Sequence, residues 1–311
     1  MITIVTTTIN KPTKATRKYV ELCKQKGFTF VIVGDTKTPH KSYEELENEL
    51  PDQIIYLSPD KQEELFENLS NCIGWKTIQR RNIGFVYAYH YTHNNIIATV
   101  DDDNIPYECW GDDVKVGKEV EVDFYDSESI VFDPLSVTEH NWLWHRGYPV
   151  EDIPIKNNVT YLGKKKTKVL VQANLWDGDP DIDATNRLTK RPLVKFNNIE
   201  PYTTNNITVF NSQNTFLHRS ILKYYSVLPF VGRMDDIWGC YYLQNRIPTG
   251  SILFDKPTVY QDRNEQDLVT NLENEIIGYR NTLKFIKNKH ELEYNTKEFI
   301  NIYYNSFYES A

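Results

Sequence analysis

The sequence predicts an α/β protein: a parallel sheet covered by helices over roughly the first hundred residues, a mixed, partly antiparallel second half, and C-terminal helices. Three observations predict it. Short β-branched or apolar runs alternate with helix-length amphipathic stretches from Ile2 to Val100. That alternation stops after Asn104, where short strand-like runs and polar turns take over. Apolar stripes at helical spacing then return from Leu268 onward. The expected division is a main body over residues 1–264 and a helical extension packed on it over 265–311.

Taken in order, residues 2–9 read as a first strand, closed off by Pro12. A helix is expected from Thr13 to Lys26, with Ala15, Tyr19, Val20, Leu22 and Cys23 on its apolar side and Gly27 as its stop. Phe28–Val33 is a second buried strand ending in Gly34-Asp35, which completes a βαβ unit. A helix around Tyr43–Leu50, a strand at Ile54–Leu57 and a helix opened by Ser58-Pro59-Asp60 and running through Leu69 continue the pattern. Trp75–Tyr91 reads as one more helix, carrying Arg80-Arg81-Asn82. Those basic and amide donors lie about twenty residues ahead of the most informative stretch in the chain.

That stretch is Ile96-Ile97-Ala98-Thr99-Val100 followed at once by Asp101-Asp102-Asp103-Asn104. A short apolar strand would deliver three carboxylates to its carboxyl end, where open α/β sheets bind ligands. Adjacent like charges repel, so the triplet is either a solvated acidic turn or the site of a divalent cation. Oxygen ligands suit Mg²⁺ or Mn²⁺, which leave coordination positions for a substrate diphosphate.

Beyond Asn104, Val114–Val122, Ser129–Phe132, Val159–Leu162 and Val169–Ala173 read as short strands, and Gly163–Lys168 as a solvated hairpin turn. Three stretches there carry candidate chemistry. Trp142–Pro149 gathers aromatics around Arg146, which either forks onto a diphosphate or pairs with an internal acid. Trp176–Ala184 holds Asp177, Asp179, Asp181 and Asp183, able to hydrogen-bond sugar hydroxyls or to cap turns. It is no EF-hand, because the twelfth position counted from Asp177 is Leu188. Gly232–Tyr242 opens with Asp235-Asp236, of which one would cap a helix while the other acts as a base or holds sugar hydroxyls. The last apolar stripes are Leu268, Leu272, Ile276, Tyr279, Leu283, Ile286 and then Phe299, Ile300, Tyr303, Tyr304, Phe307; both are expected to dock on the sheet, the second being an alternative homo-oligomer contact.

Composition narrows the function classes. A net charge of −8 over 311 residues argues against nucleic-acid binding, which draws its affinity from clustered Lys and Arg. No apolar run nears the roughly 18 residues of a membrane span, and the chain opens on a strand-like segment rather than a signal peptide, so a cytoplasmic location is expected. The four cysteines are scattered without metal-ligand spacing, and His90 and His93 lack a further ligand nearby.

Together, Arg81-Asn82-Ile83-Gly84, the strand ending in Asp101-Asp102-Asp103 and the later Asp235-Asp236 pair resemble GT-A glycosyltransferases, whose DxD motif binds the metal of a nucleotide-sugar. Arg146-Gly147-Tyr148-Pro149, Leu175–Ala184 and Gly232–Trp238, in that order, further resemble the reversibly glycosylated polypeptides, or UDP-arabinopyranose mutases; STELLO-type domains share a similar layout. The resemblance spans about residues 1–245. It implies a GT-A, Rossmann-like nucleotide-sugar-binding fold and a metal-dependent transferase using a UDP-sugar and an unidentified acceptor. Asp101 and Asp103 would hold Mn²⁺ or Mg²⁺. The donor would meet Asp101, Asp102, Arg81, Asn82, Trp176, Asp181 and Asp183, with Asp35, Thr6 and Thr7 at the uridine. Arg146, Asp235 and Asp236 would be catalytic, Arg146 matching the arginine that the mutases glycosylate. The mutases' second arginine, seven residues on, is Ile153 here. A pyranose/furanose mutase and a non-catalytic sugar-nucleotide-binding subunit are the alternatives.

Overall fold

The computed structural model describes residues 1–263, 265–289 and 291–309. Its first half is β1 (Ile2–Thr8), α1 (Lys14–Lys26), β2 (Thr29–Gly34), α2 (His40–Glu49), β3 (Ile54–Leu57), α3 (Pro59–Ile73), α4 (Arg81–Tyr91) and β4 (Ile96–Val100). The helix signals act as expected: the Thr13 hydroxyl accepts the Thr16 N–H, Ser58 caps α3, and Gly27 ends α1 in the left-handed region. α4 starts later than expected, because Lys76 at φ 65° breaks the helical path and only a 3₁₀ turn over Ile78–Arg80 precedes it.

The second half adds β5 (Asn104–Pro106), β6 (Glu119–Ser127), β7 (Val131–Phe132), β8 (Val159–Lys168), β9 (Val171–Asn174), β10 (Asp177–Gly178), α5 (Ala184–Lys190), β11 (Tyr202–Thr204), β12 (Ile207–Thr208), β13 (Asn214–His218), α6 (Asp235–Gln244), β14 (Ile252–Asp255), β15 (Val259–Gln261), α7 (Leu268–Lys287) and α8 (Tyr294–Asn305). One ten-stranded sheet runs β3-β2-β1-β4-β13-β9-β14-β11-β6-β8. β3, β2, β1 and β4 are parallel, β13 runs antiparallel to both its neighbours, and beyond it parallel and antiparallel pairs alternate. This is the α/β class the sequence predicts, with its mixed second half and C-terminal helices.

Alternate residues of the central strands feed two cores. Val5, Val31, Val33 and Ile97 face one side, where α4 packs so closely that a Cβ on Gly84 would lie 2.5 Å from Val5 Cγ1. Ile4, Phe30, Ile32, Ala98 and Val100 face the other, under α1 and α2.

Two expectations need correction. Gly163–Lys168 is no turn: it continues edge strand β8, with Lys168, Lys166 and Lys164 opposite Glu119, Glu121 and Asp123 of β6. Opposite charges in register support the ladder without apolar side chains, and lysine suits an exposed edge. α7 buries Glu275, Gly278, Thr282, Phe285 and Ile286, while Ile276 of the expected stripe is exposed, because α7 packs on Gly232–Met234 and α5 rather than on the sheet. α8 docks on α3 and on Arg219–Tyr224, burying Phe299, Tyr303 and Phe307. Among the described residues no helix is long and apolar enough to cross a membrane.

Candidate functional site

β2 and β3 lie on one side of β1 and β4 on the other, so the connection reverses direction at β1, and the crevice beyond the carboxyl ends of β1 and β4 is the switch point of the sheet. Asp101–Asp103 leave β4 there. The three carboxylates diverge. Asp102 Oδ2 accepts from Thr8 Oγ1 at 2.5 Å and Asn10 Nδ2 at 3.0 Å, tying β4 to the end of β1. Asp101 Oδ1 accepts from the buried guanidinium of Arg81, which also donates to Ser212 Oγ at 2.5 Å. Asp103 Oδ1 is buried with no hydrogen-bond partner among the described residues. Burial and then the neighbouring Asp101 push the Asp103 carboxyl up to about 7, against the pull of Arg263.

Beside Asp102 opens a cavity of about 270 Å³ lined by Thr7, Thr8, Ile9, Asn10, Asp35, Lys37, Lys76, Thr77 and Ile78. Its exposed apolar side chains, Ile9 and Ile78, and its two exposed lysines suit a flat, partly apolar group carrying an anion. Asp35 forms its wall, but the carboxylate already accepts the N–H groups of Thr36 at 2.6 Å, Lys76 at 2.7 Å and Thr77 at 3.2 Å. It shapes the loop that carries Lys76. Thr7 lines the cavity with its hydroxyl turned to Val33 O, and the Thr6 hydroxyl is buried on Val100 O behind it.

A buried chain of alternating charge runs inward from Asp101. Arg81 and Asp236 meet at Ser212, whose N–H and hydroxyl donate to Asp236 Oδ2 at 2.9 and 3.1 Å. Asp236 Oδ1 accepts from Arg146 Nη2 at 2.9 Å, and Arg146 forks onto Asp181 through Nε at 3.0 Å and Nη2 at 3.1 Å. Its Nη1 donates to the Arg233 carbonyl. Arg146 is therefore the internally paired arginine of the two readings the sequence allowed. Gly147 makes the corner possible: at φ 74° it lies so close to α6 that a Cβ would sit 2.5 Å from Ile237 Cγ2.

Electrostatics separates the two aspartates that open α6. Burial raises both, but at Asp236 Arg146 and the Ser212 N–H together overcome it and hold the carboxyl below the ordinary range, where Asp181 also lies. Asp235 has no such close cation, its contacts being the Asp236 N–H at 2.9 Å, Gln79 Nε2 at 3.4 Å and Arg146 Nη1 at 4.0 Å. Burial and then the adjacent Asp236 push it up to about 7. A carboxyl tuned to neutrality beside an ionised one is the arrangement acid–base chemistry uses.

Other expected contacts are internal. Asn82 is a staple, donating to Val227 O at 2.8 Å and accepting Val227 N at 2.9 Å. Asp183 caps α5 through Asn186 N at 2.8 Å and also takes the Trp144 indole N–H. Trp176 is buried against His145 and Phe196. Arg80 packs 3.6 Å over the Trp75 ring.

Sequence reasoning missed Arg263 and the polar run Asn211-Ser212-Gln213-Asn214, which is buried although it reads as a loop. Its only signal was four amide and hydroxyl residues wedged between Phe210 and the strand-like Thr215-Phe216-Leu217.

Among the described residues no three His, Cys, Asp or Glu side chains converge to enclose a metal ion. The edge still fits one of the kind that takes one or two protein carboxylates and completes its shell with water and phosphate oxygens, since Asp103 Oδ1 is buried and unpartnered beside Asp101.

No protein-family model and no curated protein sequence matches the chain. Among solved structures, one described as the crystal structure of a mycobacterial protein aligns with a TM-score of 0.45 at 9% identity, over 94% of this chain and 76% of that one.

Proposed function

We propose that the protein is a glycosyltransferase using a nucleotide-sugar donor, most simply a UDP-sugar. One observation carries the reading: the acidic run of β4 and a cavity with two exposed lysines share the switch point of the sheet, where a nucleoside diphosphate would bind across β1 and β4. In this reading the base lies between Ile9 and Ile78, and Lys37 and Lys76 face the phosphates. Asp103, with Asp101, would hold Mn²⁺ or Mg²⁺, which when bound supplies neutralising charge for the departing diphosphate. Asp235 takes the acceptor hydroxyl's proton. Arg146 and Arg81 position Asp236, Asp181 and Asp101 rather than touching substrate. Transfer is preferred to the mutase alternative because every guanidinium nitrogen of Arg146 donates to Asp181, Asp236 or the Arg233 carbonyl.

Incubation with a panel of UDP-sugars and Mn²⁺ is expected to release UDP, and Asp103→Ala to abolish release while the chain still folds. Stabilisation by UDP with no release under any metal would establish a binding subunit instead. A furanose product from UDP-arabinopyranose without acceptor would establish a mutase.

A further inference from the structure

Behind the acidic edge, the β5/β15 pair holds an unusual set of polar atoms. Asn104 and Gln261 are directly opposed across the pair, Asp262 N donates to Asp103 O, and Asp179 N donates to Gln261 O. Asn104 is 0% and Gln261 1% exposed. Six side-chain atoms there are buried with no hydrogen-bond partner among the described residues: Asp103 Oδ1, Asn104 Oδ1, Gln261 Oε1 and Nε2, and Arg263 Nε and Nη2. Atoms left bare in this way give up their hydration with nothing in return, and native proteins keep few of them. So many on one strand pair and within two residues of its ends mark a place that something else completes.

The balance of the set says what that is. Asp103 Oδ1 is the atom assigned to the metal; of the other five, three donate and two accept. A phosphate or carboxylate asks for donors alone and would leave Asn104 Oδ1 and Gln261 Oε1 unmet; a second cation asks for acceptors alone and would face Arg263 Nε and Nη2. A hydroxyl group donates once and accepts as well, so a row of hydroxyls matches both halves. The Arg263 Nε lies 3.8 Å from Asp179 Oδ1 and its Nη2 3.8 Å from Asp181 Oδ1, too far for direct hydrogen bonds, so the guanidinium keeps donors to spare. Arg263 and Asp179 also line a cavity of about 640 Å³ with Arg187, Arg191 and Leu193, which brings open space to the Arg263 end of the cluster.

We propose that Asn104, Gln261 and Arg263, beside the metal-holding Asp103, form a subsite for the hydroxyls of a neutral sugar. As the sugar part of the donor it rests on the nucleotide-sugar reading, and the test separates the two. Calorimetry on the full chain with Mn²⁺ compares UDP, UDP-hexoses, UDP-pentoses and UDP-glucuronate, and saturation-transfer NMR probes the free monosaccharides. At least one neutral UDP-sugar is expected to bind about tenfold or more tighter than UDP. Gln261→Met and Arg263→Lys should each bring that sugar within about twofold of UDP while UDP affinity stays put. If UDP binds and no neutral sugar adds affinity, the subsite is overturned and the nucleotide reading stands. If UDP fails to bind but a monosaccharide binds and loses its signal in Gln261→Met, the nucleotide reading falls and the subsite stands. Binding of neither, tightest binding of UDP-glucuronate, or full affinity in folded Gln261→Met overturns the subsite; the wild-type comparison decides alone if the variants do not fold.

Discussion

Replacing Arg146 with Met separates a positioning role from direct contact with substrate. The side chain is buried, bridges Asp181 and Asp236 with hydrogen bonds of 2.9–3.1 Å, and donates once more to the Arg233 carbonyl. Methionine fills the space but leaves two buried carboxylates facing each other. Breaking a buried pair from one side costs about 3–5 kcal/mol. The lower end applies, since Asp236 keeps Ser212 N at 2.9 Å and Asp181 keeps Asn211 Nδ2 at 2.9 Å. For a chain of this length about 3 kcal/mol corresponds to about 5 °C in melting temperature. The loss has a pH signature. In the native protein both carboxyls lie below their ordinary value, so the stability they contribute is present above about pH 4 and lost as pH falls below it. Without Arg146 burial raises them, so the variant's deficit is larger at pH 8 than at pH 5. Urea unfolding at the two pH values reads this out. A variant as stable as the native chain at both, yet unable to bind UDP, would refute the positioning role and return Arg146 to the substrate.

Three further outcomes follow from the same geometry. Asp235 is raised to about 7, so its contribution to stability is present below about pH 4 and lost as pH rises toward 7; Asp235→Asn should therefore stabilise at pH 8 by about 1–4 kcal/mol and be near neutral at pH 4 in urea unfolding. Asn82→Leu strands the N–H and C=O of Val227 and should lower stability by about 2–5 kcal/mol, measured the same way. Asp102→Ala frees Thr8 and Asn10 from β4 and should weaken UDP binding by about tenfold or more by calorimetry, with a melting temperature within a few degrees of the native one.

The sheet was legible where local signals agree: Thr13 and Gly27 bracket α1, Ser58 opens α3, and the β-branched runs of β1, β2 and β4 fall within a residue or two of where they were expected. The reading failed where long-range pairing decides. Nothing near Lys164–Lys168 shows that Glu119, Glu121 and Asp123 stand opposite, and nothing near Leu268–Ile286 shows that Glu275 is drawn inward by Arg233 at 3.1 Å and by the Ala184 N–H at 2.7 Å. The site divides the same way. Placing Asp101–Asp103 at a sheet edge needs only the strand before them. Knowing that Arg146 meets Asp181 and Asp236, 35 and 90 residues away, needs the fold. Gln261 ends a short, unremarkable strand, Arg263 follows it, and both gain meaning only beside Asn104 and Asp103.

Amide hydrogen exchange with and without UDP and Mn²⁺ tests most directly whether the carboxyl edge of β1 and β4 holds a nucleoside diphosphate. Protection is expected at Thr8–Asn10, Lys76–Ile78 and Asp101–Asp103, the segments around the cavity of about 270 Å³. Unchanged exchange in all three at a saturating UDP concentration, or protection confined to another part of the chain, would contradict it.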